Sequence, residues 1–208
     1  MENTAVILEG SYVRLEALTH DHREGLCHAV ADGDLWLLGV SAIPAPEEMT
    51  AWIEAELNAQ EQGCEMPFTI FWKATNEVVG TTRYCHIESD HRKLEIRTWI
   101  AKSWQKTVVN TEAKYLLLQY AFEVLNCIRV EFIADVTNQK SLKALVRIGA
   151  KVEGILRNHL IMRGGRYRDS YIFSIIDSEW QGVKKHLQHL LQERVNGATT
   201  TNTEPANP

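Results

Sequence analysis

At 208 residues the chain is long enough for one domain with a substantial core, with room for a small appendage. Its 45% apolar and 24% charged residues are those of an ordinary globular protein, which excludes a low-complexity or fibrous chain. A net charge of −5 argues against a general nucleic-acid binder, and no run approaches the ~18 apolar residues of a membrane span.

The first residues, Met1 to Thr4, are acidic rather than basic. The apolar run at 5–8 is too short for a signal peptide, so a cytoplasmic protein is expected. Alternation at Val13, Leu15 and Ala17 predicts a half-buried strand over 12–17. Thr19 then resembles an N-cap for a helix reaching Ala31. Pro44 and Pro46 punctuate a loop, and 47–62 carries Met49, Ile53 and Leu57 on one helical face. Strands are predicted over 68–73 and 78–87, separated by the turn-forming 75–77, and again over 94–101.

The polar loop 104–111 leads into a long helix. Its Ala113, Leu116, Leu117, Tyr120, Ala121 and Val124 form a stripe that must face a core. A short apolar strand follows over 128–134. Asn138-Gln139-Lys140-Ser141 opens the next helix, with Leu142, Leu145 and Val146 as its buried face and Gly149 as its stop. Strands over 151–162 and 167–176 flank the turn 163–166, and 177–194 reads as a last helix. From Asn196 the chain has no apolar payload, so 196–208 is expected to be a disordered tail behind a single domain of residues 1–195.

Regular βα alternation and a Gly-rich first turn are both lacking, which excludes a doubly wound Rossmann sheet. Cys27, Cys64, Cys85 and Cys127 form no CxxC pair and read as free buried thiols in a reducing compartment. The eight histidines match no metal-ligand spacing, so no metal is expected. The six tryptophans read as core and pocket-wall residues. Arg157, Arg163, Arg166 and Arg168, around the last turn, read as a solvated basic surface. The informative succession is strand, amide-rich loop and helix N-terminus at 94–112. Free N–H groups and the positive end of a helix dipole favour an anion there, so a phosphate-bearing cofactor is expected.

The order of elements, the loop Gln105 to Thr111 before a helix, and Asn138-x-x-Ser141 after the next strand resemble the GNAT superfamily of acetyl-CoA-dependent N-acetyltransferases. Leu94-Glu95-Ile96, Thr111-Glu112-Ala113 and 138–150 resemble its branch that acetylates the N-termini of ribosomal proteins. The likeness spans 11–180. It implies an α/β fold: a mixed, mostly antiparallel twisted sheet of about seven strands with helices on both faces. It also implies acetyl-CoA as co-substrate. Main-chain groups of Trp99, Ile100 and Ala101 would hold the pantetheine arm and polarise the thioester carbonyl. Gln105, Lys106, Thr107, Val108, Val109, Asn110 and Thr111 would cradle the pyrophosphate, and Asn138 and Ser141 would lie near the pantetheine.

Departures from the family pattern are as informative as the matches. The Arg/Gln-x-x-Gly-x-Gly/Ala loop falls on Gln105, Val108 and Asn110, and a β-branched residue at positive φ is strongly disfavoured. Either the loop keeps negative φ at Val108 or cofactor binding is weakened. Leu145 stands where many relatives carry a tyrosine acid, and Ser141 matches the serine that the ribosomal branch uses instead. Glu95 is the expected base, acting on the amine through a water. The family's Glu-Ile-Gly-Tyr continues here as Arg97-Thr98, and Arg97 either pairs with an acidic acceptor or faces solvent. Asn138 equally suits a plain helix cap. The expected partner is an amine acceptor: a protein N-terminus, or alternatively a small amine such as a polyamine, antibiotic or toxin. A non-enzymatic CoA-binding module is the other alternative. The oligomeric state is left open, a homodimer included.

Overall fold

The computed structural model describes residues 6–199, with side chains through 193. Alternating side chains build its strands, as the period of two requires. In chain order the elements are β1 (Ile7–Glu9), β2 (Val13–Ala17), α1 (Arg23–Ala31), α2 (Met49–Glu61), β3 (Met66–Trp72), β4 (Glu77–Glu88) and β5 (Lys93–Ile100). There follow α3 (Val109–Gln119), β6 (Arg129–Asp135), α4 (Gln139–Arg147), β7 (Lys151–Ile161), β8 (Tyr167–Ile176) and α5 (Asp177–Thr199). The strands form one sheet in the order β1-β2-β3-β4-β5-β6-β8-β7.

Only the β5–β6 pair is parallel among the described strands, and its ladder is short. It joins Lys93 to Arg129, Leu94 to Val130 and Glu95 to Glu131, then stops. Beyond Glu95, β5 keeps only its β4 partner, while β6 stays paired with β8 to Asp135. A V-shaped gap therefore opens in the middle of the sheet. This gap is the feature that positions everything below.

Two apolar cores hold the sheet from opposite faces. On one, Leu94, Ile96 and Ile100 of β5 pack with Val109, Ala113 and Leu117 of α3 and with Trp180 and Leu187 of α5. On the other, Trp99 packs among Leu26, Val30, Met49 and Ile53 of α1 and α2. Each fully buried side chain of this size contributes ~1.5–3 kcal/mol. Glu112, buried in the first turn of α3, accepts N–H bonds from Ser11, Tyr12 and Val13 at 2.7–2.8 Å. It ties the β1–β2 turn to the mouth of the gap. Gly80 is required where β4 crosses Trp99, because a Cβ there would lie 2.3 Å from the Trp99 carbonyl oxygen.

Several expectations need correction. The sheet has eight strands rather than about seven, because Ile7–Glu9 pairs along β2 as β1. Val124 is exposed: α3 stops at Gln119, and a π-turn over Tyr120–Val124 shifts the register of the stripe. Val146 points outward on α4, leaving Leu145 as the buried anchor. Cys64 is exposed rather than buried. The helix α5 continues to Thr199, past the Asn196 boundary, and the rest of the expected tail lies outside the described residues. Among the described residues no helix is long and apolar enough to cross a membrane.

Candidate active site

The N-terminus of α3 stands at the open end of the gap. The first backbone bond of its ladder runs from Glu112 N to Val108 O, so the N–H groups of Val109, Asn110 and Thr111 precede that ladder. The Val109 N–H is capped at 3.3 Å by the Thr107 hydroxyl, which itself donates to the Trp104 carbonyl at 2.7 Å. Gln105 folds back, its Nε2 donating to the Ile100 carbonyl at 3.0 Å. Val108 has φ −69 and is buried, so the β-branched side chain sits without strain. The positive φ of this loop falls on Lys106 instead, at 63°. Of the two alternatives for the departing valine, the structure adopts negative φ.

α4 meets the start of α3 through its last residue, Arg147, not through its own N-terminus. Asn138 caps α4 by accepting the Ser141 N–H at 3.1 Å, and Ser141 is half-buried one turn in. Thr111 of α3 accepts a bond from Arg147 of α4 at 2.8 Å, locking the two helices together. Beside that bond lies an open depression of about 330 Å³ lined by Leu142, Lys143, Val146 and Arg147. Its apolar floor and two cationic side chains suit a flat, phosphate-bearing group. Ala101, by contrast, gives its N–H to the Val79 carbonyl at 2.9 Å. That donor is committed within the sheet.

Glu95 lies at the apex of the gap, 1% exposed. Both carboxylate oxygens are engaged: Arg97 donates through Nε (2.7 Å) and Nη2 (3.1 Å), and His86 Nδ1 lies 2.9 Å from Oε2. Arg97 thus neither faces solvent alone nor waits for an acceptor. His86 remains largely exposed at its far edge, on a bulge of β4 where its φ is 49°. Cys85, His86 and Glu95 offer donor atoms within 4.8 Å of one another. The ion pair with Arg97 and a Cys85 thiol pushed up to about 12 by burial make this a poor metal site.

The rest of this face is charged and internally paired. Arg83 lies 3.2 Å from Glu56 and 2.9 Å from Glu65. Burial, opposed by Arg83 and reinforced by Glu65, raises the Glu56 carboxyl to about 8. Asp135 loses solvent, but Arg166 and Thr137 more than compensate and hold its carboxyl below the usual range. Arg166 also bonds the Gly39 carbonyl. Arg168 is buried against Ser170 and the Val40 carbonyl. Arg163 pairs with Glu48. Of the four arginines expected on a solvated basic surface, Arg157, Arg163 and Arg166 are exposed as expected, and Arg168 alone is buried.

Two residues of the gap were not among those expected. His86 gave no sequence signal, because its position depends on the bulge. Lys114 did: it precedes Leu117, Leu118 and Ala121 by three, four and seven, which places it on the core stripe of α3.

The chain matches the acetyltransferase (GNAT) domain family over residues 13–151. A solved GCN5-related N-acetyltransferase from Brucella melitensis is 30% identical, covering 92% of this chain and 87% of that one, with a TM-score of 0.80. YdaF of Bacillus subtilis (strain 168), provisionally named a ribosomal N-acetyltransferase, is 37% identical over 48% of this chain and 54% of its own length. The spermidine N(1)-acetyltransferase of Escherichia coli (strain K12) is 28% identical over 52% of this chain and 58% of its own length. The chain spans little more than half the length of these two relatives.

Proposed function

The chain belongs to the GNAT acetyltransferase family, and on that premise we propose that it transfers an acetyl group from acetyl-CoA to a primary amine, with a protein N-terminal α-amino group as the acceptor. The observation that carries this reading is the sheet gap between β5 and β6 with the α3 N-terminus at its mouth. Helix N–H groups and dipole favour the pyrophosphate, with the loop Gln105 to Thr111 as its cradle. The edge of β5 left open beyond Glu95 supports main-chain bonding to the pantetheine amides, from Ile100 rather than Trp99, whose carbonyl is turned towards Gly80 of β4. The depression on α4 takes the nucleotide end, with Lys143 and Arg147 facing phosphate.

The reaction is direct attack of the amine on the thioester within a ternary complex. Glu95 acts as the basic centre through His86: the carboxylate orients the imidazole, and the exposed ring edge relays the proton released by the amine to water. Ser141 offers its hydroxyl to the developing thiolate. An α-amino group, near ~7.7–8, loses its proton far more readily than a lysine near ~10.4. That difference favours a protein N-terminus for so modest a base.

A polyamine is the second reading, and its support is the spermidine-acetylating relative. Charge weighs against it. Arginines bond Glu95 and Asp135, and Arg83 lies within ion-pair distance of Glu56 and Glu65, so among the described residues these four form no unpaired carboxylate cluster for a polycation. The test is release of CoA thiol from acetyl-CoA with a panel of amines. N-terminal peptides should be turned over and spermidine should not. The reverse order moves the acceptor to the second reading, and no thiol release with any amine defeats the transferase reading.

A further inference from the structure

Lys114 projects from the second turn of α3 into the sheet and is 4% exposed. Its Nζ donates to Thr98 Oγ1 and lies 5.8 Å from the centroid of the Phe132 ring. Thr98 stands three residues past the last β5–β6 pair, and Phe132 one residue past it. The ammonium therefore bridges the two strands just beyond the point where they part. Thr98 is itself held by the Thr82 hydroxyl at 2.6 Å, so the amine has a fixed partner on β5. No carboxylate lies within ion-pair distance of Lys114 among the described residues. On β4, Cys85 is held protonated at about 12 and Tyr84 well above its usual range, both by burial.

A buried ammonium without a counter-ion costs several kcal/mol, and an apolar side chain of similar length would fill the space more cheaply. The expense makes sense if negative charge arrives in the gap during function. Acetyl transfer produces such a charge once, on the sulfur of the departing CoA. A serine hydroxyl is a far weaker acid than a thiol, so Ser141 can hydrogen-bond that sulfur but cannot protonate it. Leu145 removes the other donor of α4.

We propose that Lys114 is the acid of the reaction, stabilising the CoA thiolate and giving it a proton as the carbon–sulfur bond breaks. The inference rests on the acetyl-transfer reading above. The amine nitrogen bonds to the carbonyl carbon, and the electron pair of the C–S bond leaves on sulfur. Sulfur takes a proton from the Lys114 ammonium, the amine's surplus proton leaves through His86 to water, and Lys114 regains a proton from solvent. Burial lowers Lys114 to about 7, which matches it to a thiol near ~8.5 and allows rapid return to the ammonium form.

The test reads the thiol rather than turnover. Thiolate absorbance of bound CoA, followed against pH, should titrate at least about one pH unit lower in the wild type than in Lys114→Met, a tenfold change in acidity. Affinity for CoA at low pH should agree within about threefold between the two proteins. The wild type supplies an independent check, because S-methyl-CoA cannot ionise. The affinity ratio of CoA to S-methyl-CoA should rise about twofold between about pH 6 and 8, and stay flat with pH in Lys114→Met. Identical thiol titrations in a Lys114→Met protein that binds CoA would overturn the assignment, as would a constant ratio in the wild type. Failure of the wild type to bind CoA at all would instead remove the acetyl-transfer reading beneath it.

Discussion

Replacing Val108 with glycine restores the residue that the phosphate loop of the family usually carries, and the structure predicts that it brings no benefit. Val108 sits at φ −69 and ψ −23, is 9% exposed, and its carbonyl accepts the first bond of the α3 ladder. Glycine's left-handed freedom is of no use at that φ. The substitution deletes a buried side chain worth ~1.5–3 kcal/mol and adds ~0.5–1 kcal/mol of backbone entropy to be lost on folding. Together these lower stability by about 2–4 kcal/mol. Urea denaturation should show a lower midpoint with an unchanged slope, the mark of lost stability without a change in the surface exposed. Calorimetry should show CoA binding equal to or weaker than wild type, because the backbone already has its binding shape. A Val108→Gly protein of wild-type stability that binds CoA tenfold more tightly would refute this reasoning. It would mean that the valine holds the loop away from phosphate.

Other perturbations probe separate parts of the account. Glu112→Ala leaves three backbone N–H groups without their acceptor and should cost about 3–5 kcal/mol in urea denaturation; a loss under about 1 kcal/mol would mean that water replaces the carboxylate. Glu95→Gln should cut kcat by about 10²-fold or more with little change in CoA affinity, and His86→Ala should cost a similar factor. If both variants keep wild-type kcat, the Glu95–His86 pair has no part in proton transfer. Glu56, raised from 4.5 to about 8 by burial, contributes stability that is complete below pH 4.5 and is lost as the pH climbs through 8. Glu56→Gln should therefore flatten the fall in stability across that window, and parallel wild-type and variant curves would show that the carboxyl titrates normally.

What the sequence disclosed, and what it withheld, follows from how local each signal is. The α3 stripe as far as Ala121, the Gly149 stop and the Asn138 cap depend on neighbours a few residues away, and the structure has each of them. The N-terminus of α3 behind its polar loop was visible for the same reason. The state of Glu95 was not, because its ion pair with Arg97 and its contact with His86 depend on the register of β4 against β5 and on a bulge. The burial of Arg168 was hidden because its partners include Asp135 and the Val40 carbonyl, each more than thirty positions away in sequence. Lys114 was legible in principle: a lysine at a core position of an amphipathic helix contradicts its own pattern, and such contradictions mark functional sites.

The central claim is that the gap between β5 and β6 delivers acetyl from acetyl-CoA to an α-amine. One peptide carrying both a free N-terminus and an internal lysine tests it most directly, with fragment masses locating the acetyl group after incubation with enzyme and acetyl-CoA. The account predicts a single acetyl group on the α-nitrogen and none on the lysine. Acetylation of the lysine alone, or of neither amine while CoA still binds, would contradict it.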